Sequence, residues 1–463
     1  MAAAGDPPQL TRPESRPPTR ADLAPRHLAR VWAPLAATFL LVTGSTPVVN
    51  ASINRLPGRI HEAELAAFAL LLACTIVIHS PLFVTREIAI KLSIDRAGSR
   101  RALYFGLAAA TVVSAFEVVM ALTPVGSWIL GRFTQRPELV AMAQPAFLVV
   151  APVPFFIAIR AVYQAHQIRA DDTLWVGLGT ATRLGLTAVI GLALAPRVGL
   201  DGPMLGAFCV LGGIITETVF AFLRARHSSR PPHSSTEYRV DPIRFGLPLM
   251  FANFLGVAVS LGYLRIAGMV PLEIQDFSIA GFQEVKSLHW LLGAGGFALQ
   301  SLTTAKVRRR GDEHAMLRFA FLVSVGLTAA FAVVVFTPVR DWILIDALKE
   351  KAGGEVMKIA IPALAVAILM PAFNAIRFTL RGTLIARGRS RAITMVNLVS
   401  LSLVFGAISF SILPFPDNGA LNAYVMWNTT TIVEIAILWR VLREPRGGLP
   451  RGSGRGEALG SPG

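Results

Sequence analysis

Residues 123–130 read Thr-Pro-Val-Gly-Ser-Trp-Ile-Leu and residues 337–344 read Thr-Pro-Val-Arg-Asp-Trp-Ile-Leu, so six of eight positions agree at an offset of 214. Some way downstream, Pro154-Phe155-Phe156-Ile157-Ala158-Ile159-Arg160 stands against Pro371-Ala372-Phe373-Asn374-Ala375-Ile376-Arg377, and Glu217 against Glu434, both at an offset of 217. Three matches in the same order mark a chain made of two copies of one unit. The polar stretch Arg224-Ala225-Arg226-His227-Ser228-Ser229-Arg230-Pro231-Pro232-His233 joins them.

The unit is a membrane unit. Of 463 residues 53% are hydrophobic and 16% charged, and the mean hydropathy is +0.57. A spanning helix takes about 20 apolar residues. Apolar runs predict spans at 31–53, 63–84, 102–123, 139–163, 174–195, 203–223, 243–269, 277–302, 317–338, 356–380, 392–413 and 419–441. The expected fold class is therefore an all-α polytopic membrane protein with about twelve transmembrane helices in two six-helix lobes. Residues 31–223 form the first lobe, 224–242 a cytoplasmic linker and 243–441 the second; 1–30 and 442–463 read as disordered basic tails. Twelve spans leave no room for a soluble catalytic domain. Repeats related by an axis along the membrane normal build transporters with a central site; duplication without transport is the plainer alternative. Cys74 and Cys209 both lie in apolar runs and read as core packing.

The formal charge of +16 belongs to this topology. Most of the Lys and Arg fall on the side shared by both tails and the linker, including Arg86, Lys91, Arg96, Arg100 and Arg101 after the second span and Lys306, Arg308, Arg309 and Arg310 after the eighth. By the positive-inside rule that side is cytoplasmic, which places the chain in the inner membrane and predicts contact with membrane lipids and no nucleic-acid partner.

All twelve aspartates lie outside the predicted spans, whereas Arg160, Arg183, Arg265, Lys286, Arg377, Glu117, Glu217, Glu284 and Glu434 lie inside them. Each costs about 3 kcal/mol or more at the bilayer centre unless it meets water or a partner. Helical spacing puts Asn374, Arg377 and Arg381 on one face, and Arg160, Gln164 and Gln167 on another. These stripes are repeat mates. Facing a central cleft from opposite lobes, their guanidinium groups would bind an anion such as phosphate or carboxylate; the competing reading is that they anchor the ends of spans four and ten. Gln283, Lys286 and Trp290 share a face of span eight, and Thr43, Thr46 and Asn50 line span one beside Pro47, where a kink is possible. The candidate solute-binding residues are thus Arg160, Arg377, Asn374, Gln164, Lys286, Gln283, Asn50 and Thr46. Glu217, Glu434 and Glu117 are candidates for a proton relay or counter-charge, or, for Glu217, for an interhelical ion pair with Arg183.

No G-x-x-x-x-G-K-[ST] loop, H-E-x-x-H pair or G-x-S-x-G elbow occurs, so ATP hydrolysis, metal catalysis and nucleophilic catalysis have no support in the chain, and no cofactor or metal is expected.

The sequence resembles the multidrug/oligosaccharidyl-lipid/polysaccharide flippase (MOP, MATE-like) superfamily, and within it the progressive ankylosis (ANK) family. The resemblance rests on Val31-Trp32-Ala33-Pro34-Leu35, Asn54-Arg55, Thr337-Pro338 followed by Ile343-Leu344-Ile345-Asp346, and Pro371 through Arg377. It departs at Ser45, Thr46 and Pro47, where ANK proteins carry an acidic residue. The resemblance implies export of a small anionic metabolite by alternating access between two lobes, with a proton or sodium ion as a possible coupling partner. A flippase for a lipid-linked saccharide, a multidrug cation antiporter and a non-transporting scaffold are the alternatives.

Overall fold

A computed structural model of the chain describes residues 23–53, 55–56, 61–93, 95–132, 136–194, 199–227, 240–309, 311–342 and 354–444. The predicted tails lie almost wholly outside these residues, as do 228–239 of the linker, Asn54, Arg310 and Ile343-Leu344-Ile345-Asp346. The described residues are helical with no strand among them, an all-α polytopic membrane fold.

The first half comprises α1 (Pro25–Ile53), α2 (His61–His79), α3 (Thr85–Leu92), α4 (Arg96–Leu122), α5 (Pro137–Val150, interrupted by a turn), α6 (Val153–Arg169), α7 (Thr173–Ala188) and α8 (Gly202–His227). The second comprises α9 (Pro242–Ala267), α10 (Leu272–Lys306), α11 (Asp312–Phe336), α12 (Glu355–Ala367), α13 (Met370–Ala386), α14 (Ser390–Ser409) and α15 (Gly419–Arg443). Nine candidate spans are long and apolar enough to cross a bilayer, and the bent pairs α5–α6 and α12–α13 raise this to eleven. The remaining span read from the sequence is α10, 35 residues long but made less apolar by Gln283, Glu284, Lys286 and His289. The first helix starts at Pro25 rather than 31, because Leu28 and Val31 are buried against Leu299, Leu302 and Met316 of the second half. That packing holds as helix a segment whose composition reads as tail.

The repeat is visible in detail. The two bent pairs turn by 43° and 45° at corresponding places. The repeated Thr-Pro-Val is a helix start in both halves: Thr123 Oγ1 accepts from Val125 N at 3.3 Å and Thr337 Oγ1 from Val339 N at 3.4 Å, with proline at the first helical position, where no N–H is needed. Asp171 and Gly388, offset by 217, both sit in the left-handed region at φ 59° and 73°. Helix α1 continues unbroken through Pro34 and Pro47.

The halves meet at the end that carries both tails. Trp32 Nε1 donates to Gly295 O at 2.8 Å, Ser301 Oγ to Glu87 Oε1 at 2.6 Å and Asn253 Nδ2 to Ser80 O at 2.5 Å. Two lysines near the ends of α3 and α10 reach across in opposite directions. Lys91 Nζ donates to Ala386 O at 2.6 Å, and Lys306 Nζ to Asp171 Oδ2 at 2.6 Å, where His27 Nε2 also lies at 3.1 Å. Most of these bonds lie toward the tail-bearing ends of α1, α3, α10 and α13, whereas the Asn253–Ser80 bond joins the middle of α9 to the turn between α2 and α3. Phe39 against Phe297, at 5.6 Å between ring centres, is the deepest aromatic contact between the halves among the described residues.

Candidate functional site

In the first half three helices converge on one carboxylate. Glu217 of α8 is 1% exposed. Its Oε2 makes a direct hydrogen-bonded ion pair with the Arg160 guanidinium of α6 and lies 3.4 Å from Arg183 Nη1 of α7. Its Oε1 accepts from Gln164 Nε2 and Thr180 Oγ1, each at 3.0 Å. Spacings of four (160 and 164) and three (180 and 183) put each donor pair on one helix face toward α8.

The second half repeats this around Glu434 of α15. Its Oε2 lies 3.4 Å from Arg377 Nη1 and 3.6 Å from Arg381 Nη2, both on α13, and its Oε1 accepts from Ser400 Oγ of α14 at 2.7 Å. Arg381 also donates to Asn397, whose Nδ2 donates to Ala252 O. At the single offset of 217 the five positions correspond: Arg160 with Arg377, Gln164 with Arg381, Thr180 with Asn397, Arg183 with Ser400, Glu217 with Glu434. Each cluster sets two guanidinium groups against one carboxylate and so carries one net positive charge. The Arg160 and Arg377 side chains stay 19% and 14% exposed, and their Nε atoms have no hydrogen-bond partner among the described residues.

Arg160 and Arg377 are each held by the glutamate of their own half, because a guanidinium this far inside needs a counter-charge within reach. Glu217 takes the anticipated Arg183 and, in addition, Arg160. The other candidates scatter. Asn374 Nδ2 donates to His289 Nε2 at 2.9 Å in the second-half interior, and Gln167 Nε2 to Ala221 O at 3.4 Å. Lys286 makes no ion pair among the described residues; its Nζ lies 5.9 Å from the ring centres of both Phe282 and Trp290. Gln283, Thr46 and Asn50 are half-buried, and the side chains of the last two have no hydrogen-bond partner among the described residues. Glu117 pairs with His79, a partner the sequence did not single out. No group of three or more His, Cys, Asp or Glu among the described residues could hold a metal ion.

No known family's sequence profile and no curated protein sequence matches the chain. Solved structures match its fold. A MOP superfamily transporter from Pyrococcus furiosus is similar at TM-score 0.70 and 14% identity, over 92% of this chain and 98% of its own. The eukaryotic MATE transporter AtDTX14 is similar at 0.70 and 15% identity, over 91% and 97%. A mutant of the Vibrio cholerae MATE transporter VcmN is similar at 0.69 and 16% identity, over 91% and 98%. The chain thus has the fold of MATE and MOP transporters.

Proposed function

We propose that the protein is a secondary transporter that exports a small anionic solute, an organic acid or a phosphate- or pyrophosphate-bearing metabolite, by alternating access between lobes 31–223 and 243–441. The observation that carries this is the pair of matched clusters, each with a net positive charge inside the membrane and each leaving an arginine partly accessible. A buried charge excess is costly unless an anion supplies the missing counter-charge. Such a solute would be gripped by both lobes at once. The resemblance to the ANK family favours the same reading, and the Pyrococcus furiosus neighbour is itself described by a reversed polarity of its binding pocket that suggests a different function. With both tails cytoplasmic, the seam closed by Lys91 and Lys306 faces the cytoplasm. A proton or sodium ion supplies the coupling.

A lipid-linked saccharide flippase is the second reading. An apolar cavity of 420 Å³, lined by first-half residues that include Cys74, Val77, Ile78 and Phe116 and bordered by Phe254 of the second half, would suit an acyl or isoprenoid chain.

The test is flux of labelled citrate, pyrophosphate and ATP in proteoliposomes, comparing the wild type with Arg160→Gln plus Arg377→Gln, which neutralises both clusters. Anion flux abolished in the double variant supports the reading. Flux that survives assigns both arginines to holding helices together. A wild type that carries no anion but scrambles a polyprenyl-pyrophosphate saccharide turns the assignment to the flippase.

A further inference from the structure

A second polar site lies in the first half alone, between α2 and α4. His79 and Glu117 are 3% and 0% exposed, and His79 Nε2 stands 2.8 Å from Glu117 Oε1. Thr75 lies one helical turn before His79 and Ser114 one turn before Glu117. Thr75 Oγ1, Ser114 Oγ, both Glu117 carboxylate oxygens and His79 Nε2 are all buried without a hydrogen bond among the described residues, the histidine and carboxylate standing close but not aligned as donor and acceptor. Most buried polar groups in proteins are satisfied, and unsatisfied ones in a membrane interior cost more still. Unfilled acceptor capacity beside a histidine fits a site whose occupant comes and goes.

The internal repeat separates this site from scaffold. At the offset of 214 that aligns α4 with α11, Glu117 corresponds to Phe331, buried in the second-half core. His79 corresponds to Gly293, in the run Gly293-Ala294-Gly295-Gly296, which holds no titratable group. The Arg–Glu clusters are duplicated; this pair is not.

The site also adjoins the seam between the halves. Helix α2 stops at His79, and Ser80–Val84, with Pro81, tightens into a 3₁₀ turn before α3. A mid-span 3₁₀ stretch often marks a hinge. Ser80 O is the acceptor for Asn253 of the second half, and Val77, Ile78 and Phe116 line the apolar cavity that Phe254 of the second half borders.

The packed elements bring other titratable groups near, but His79 is the only ion-pair partner of Glu117 among the described residues. Arg160 of α6 is held by Glu217, and His166 Nε2 meets Ser99 Oγ at 3.0 Å. Tyr163 is on α6 as well, Cys74 and Glu64 are on α2, and Arg86, Glu87 and Lys91 on α3. Helix α4 itself has Tyr104 and the basic residues of its first turns, α5 has Glu138, α8 has Cys209, and α9 has Arg244, Tyr263 and Arg265.

We infer that the His79–Glu117 pair is a proton-binding site that ties protonation to the separation of the halves. One proton from water converts a carboxylate and a neutral imidazole, net charge −1, into a pair of zero net charge, either carboxylate with imidazolium or carboxyl with imidazole; its release to water reverses the step. Imidazole suits this because a ring nitrogen can either hold a proton or accept one. A proton gained or lost at His79 acts on the residue next to the Ser80–Asn253 bond.

The test uses the full chain in lipid nanodiscs, with infrared difference spectra between acidic and alkaline buffer. The wild type should show a titrating carboxyl or carboxylate signal that is lost in Glu117→Gln and displaced in Glu117→Asp, which keeps the acid and guards against a folding artefact. Identical difference spectra in all three overturn the assignment. The coupling role rests on the transport reading and has its own arm: in proteoliposomes, stimulation of anion flux by an imposed pH gradient should disappear in Glu117→Gln. Stimulation that persists refutes the coupling. A wild type without flux whose titrating signal still depends on Glu117 sinks the transport reading and leaves the proton site standing.

Discussion

The two carboxylate clusters solve one electrostatic problem with different residues. Around Glu217 the second arginine comes from α7, as Arg183, and a glutamine occupies the neighbouring place on α6. Around Glu434 the second arginine, Arg381, stands at that α6-equivalent place on α13, and Ser400 fills the place of Arg183. Two guanidinium groups per carboxylate are kept while their positions are exchanged. What the duplicated fold preserves is the charge balance at the membrane interior, not the identity of each side chain. The contrast with His79–Glu117, whose mates are a glycine and a phenylalanine, marks where the halves differ in kind.

The largest expected effect tests the tighter cluster. Glu217→Gln leaves Arg160 and Arg183 without their counter-charge and should destabilise the protein by about 3–5 kcal/mol. Glu434→Gln should cost less, because its arginine contacts are longer, at 3.4 and 3.6 Å, and Asn397 holds Arg381 independently. Thermal unfolding in detergent compares them; equal losses would make the clusters energetically equivalent.

The lysine bridges should come next. Lys306→Met removes a partner from Asp171 and should cost about 1–3 kcal/mol of the closed seam. Lys91→Met should cost the seam less, since the acceptor it reaches in the second half is a neutral backbone carbonyl. Paired spin labels at positions 96 and 309 should show a broader separation in Lys306→Met than in Lys91→Met, and the reverse order would deny the charged bridge its larger share.

Transplanting one cluster into the other is expected to do little. Gln164→Arg with Arg183→Ser gives the first half the second half's residues at those places and should change stability by less than about 1.5 kcal/mol, whereas Arg183→Ser alone should cost more; a transplant as damaging as the single change would show that the halves are not interchangeable at this site. The smallest effect belongs to the matched turns. Gly388→Ala, at φ 73°, should lose about 1 kcal/mol in the same melting assay, while Asp171→Gly would relieve backbone strain but forfeit the Lys306 bridge.

The spans were legible because about 20 apolar residues are needed for each crossing, and the repeat because Thr-Pro-Val and Pro-to-Arg blocks survive in both copies. The start of α1 at Pro25 was not, since it depends on contacts with α10 and α11 that no local composition encodes. Within the site, Glu217 and Arg183 announce themselves as opposite charges on adjacent spans. The reach of Arg160 to the same carboxylate is a matter of how far α6 sits from α8. His79 gave no signal: an isolated histidine in an apolar run acquires meaning only from Glu117, on another helix. The Lys306–Asp171 bridge was hidden because its members sit on the basic, polar ends of the spans, where charges are expected for topology alone.

Ser301 and Glu87 stand at the same offset of 214 that relates the two Thr-Pro-Val motifs, and they bond to each other. A residue that touches its own counterpart lies on the approximate two-fold axis. In a dimer of two identical six-helix chains, that position would meet its own copy, as isologous contacts must. A glutamate there would oppose a second glutamate, and a serine would leave no acceptor of charge. Joining both copies into one chain lifts that constraint, since each side can change alone. The 2.6 Å bond from serine to glutamate is a contact that two identical six-helix chains could not make on their shared axis.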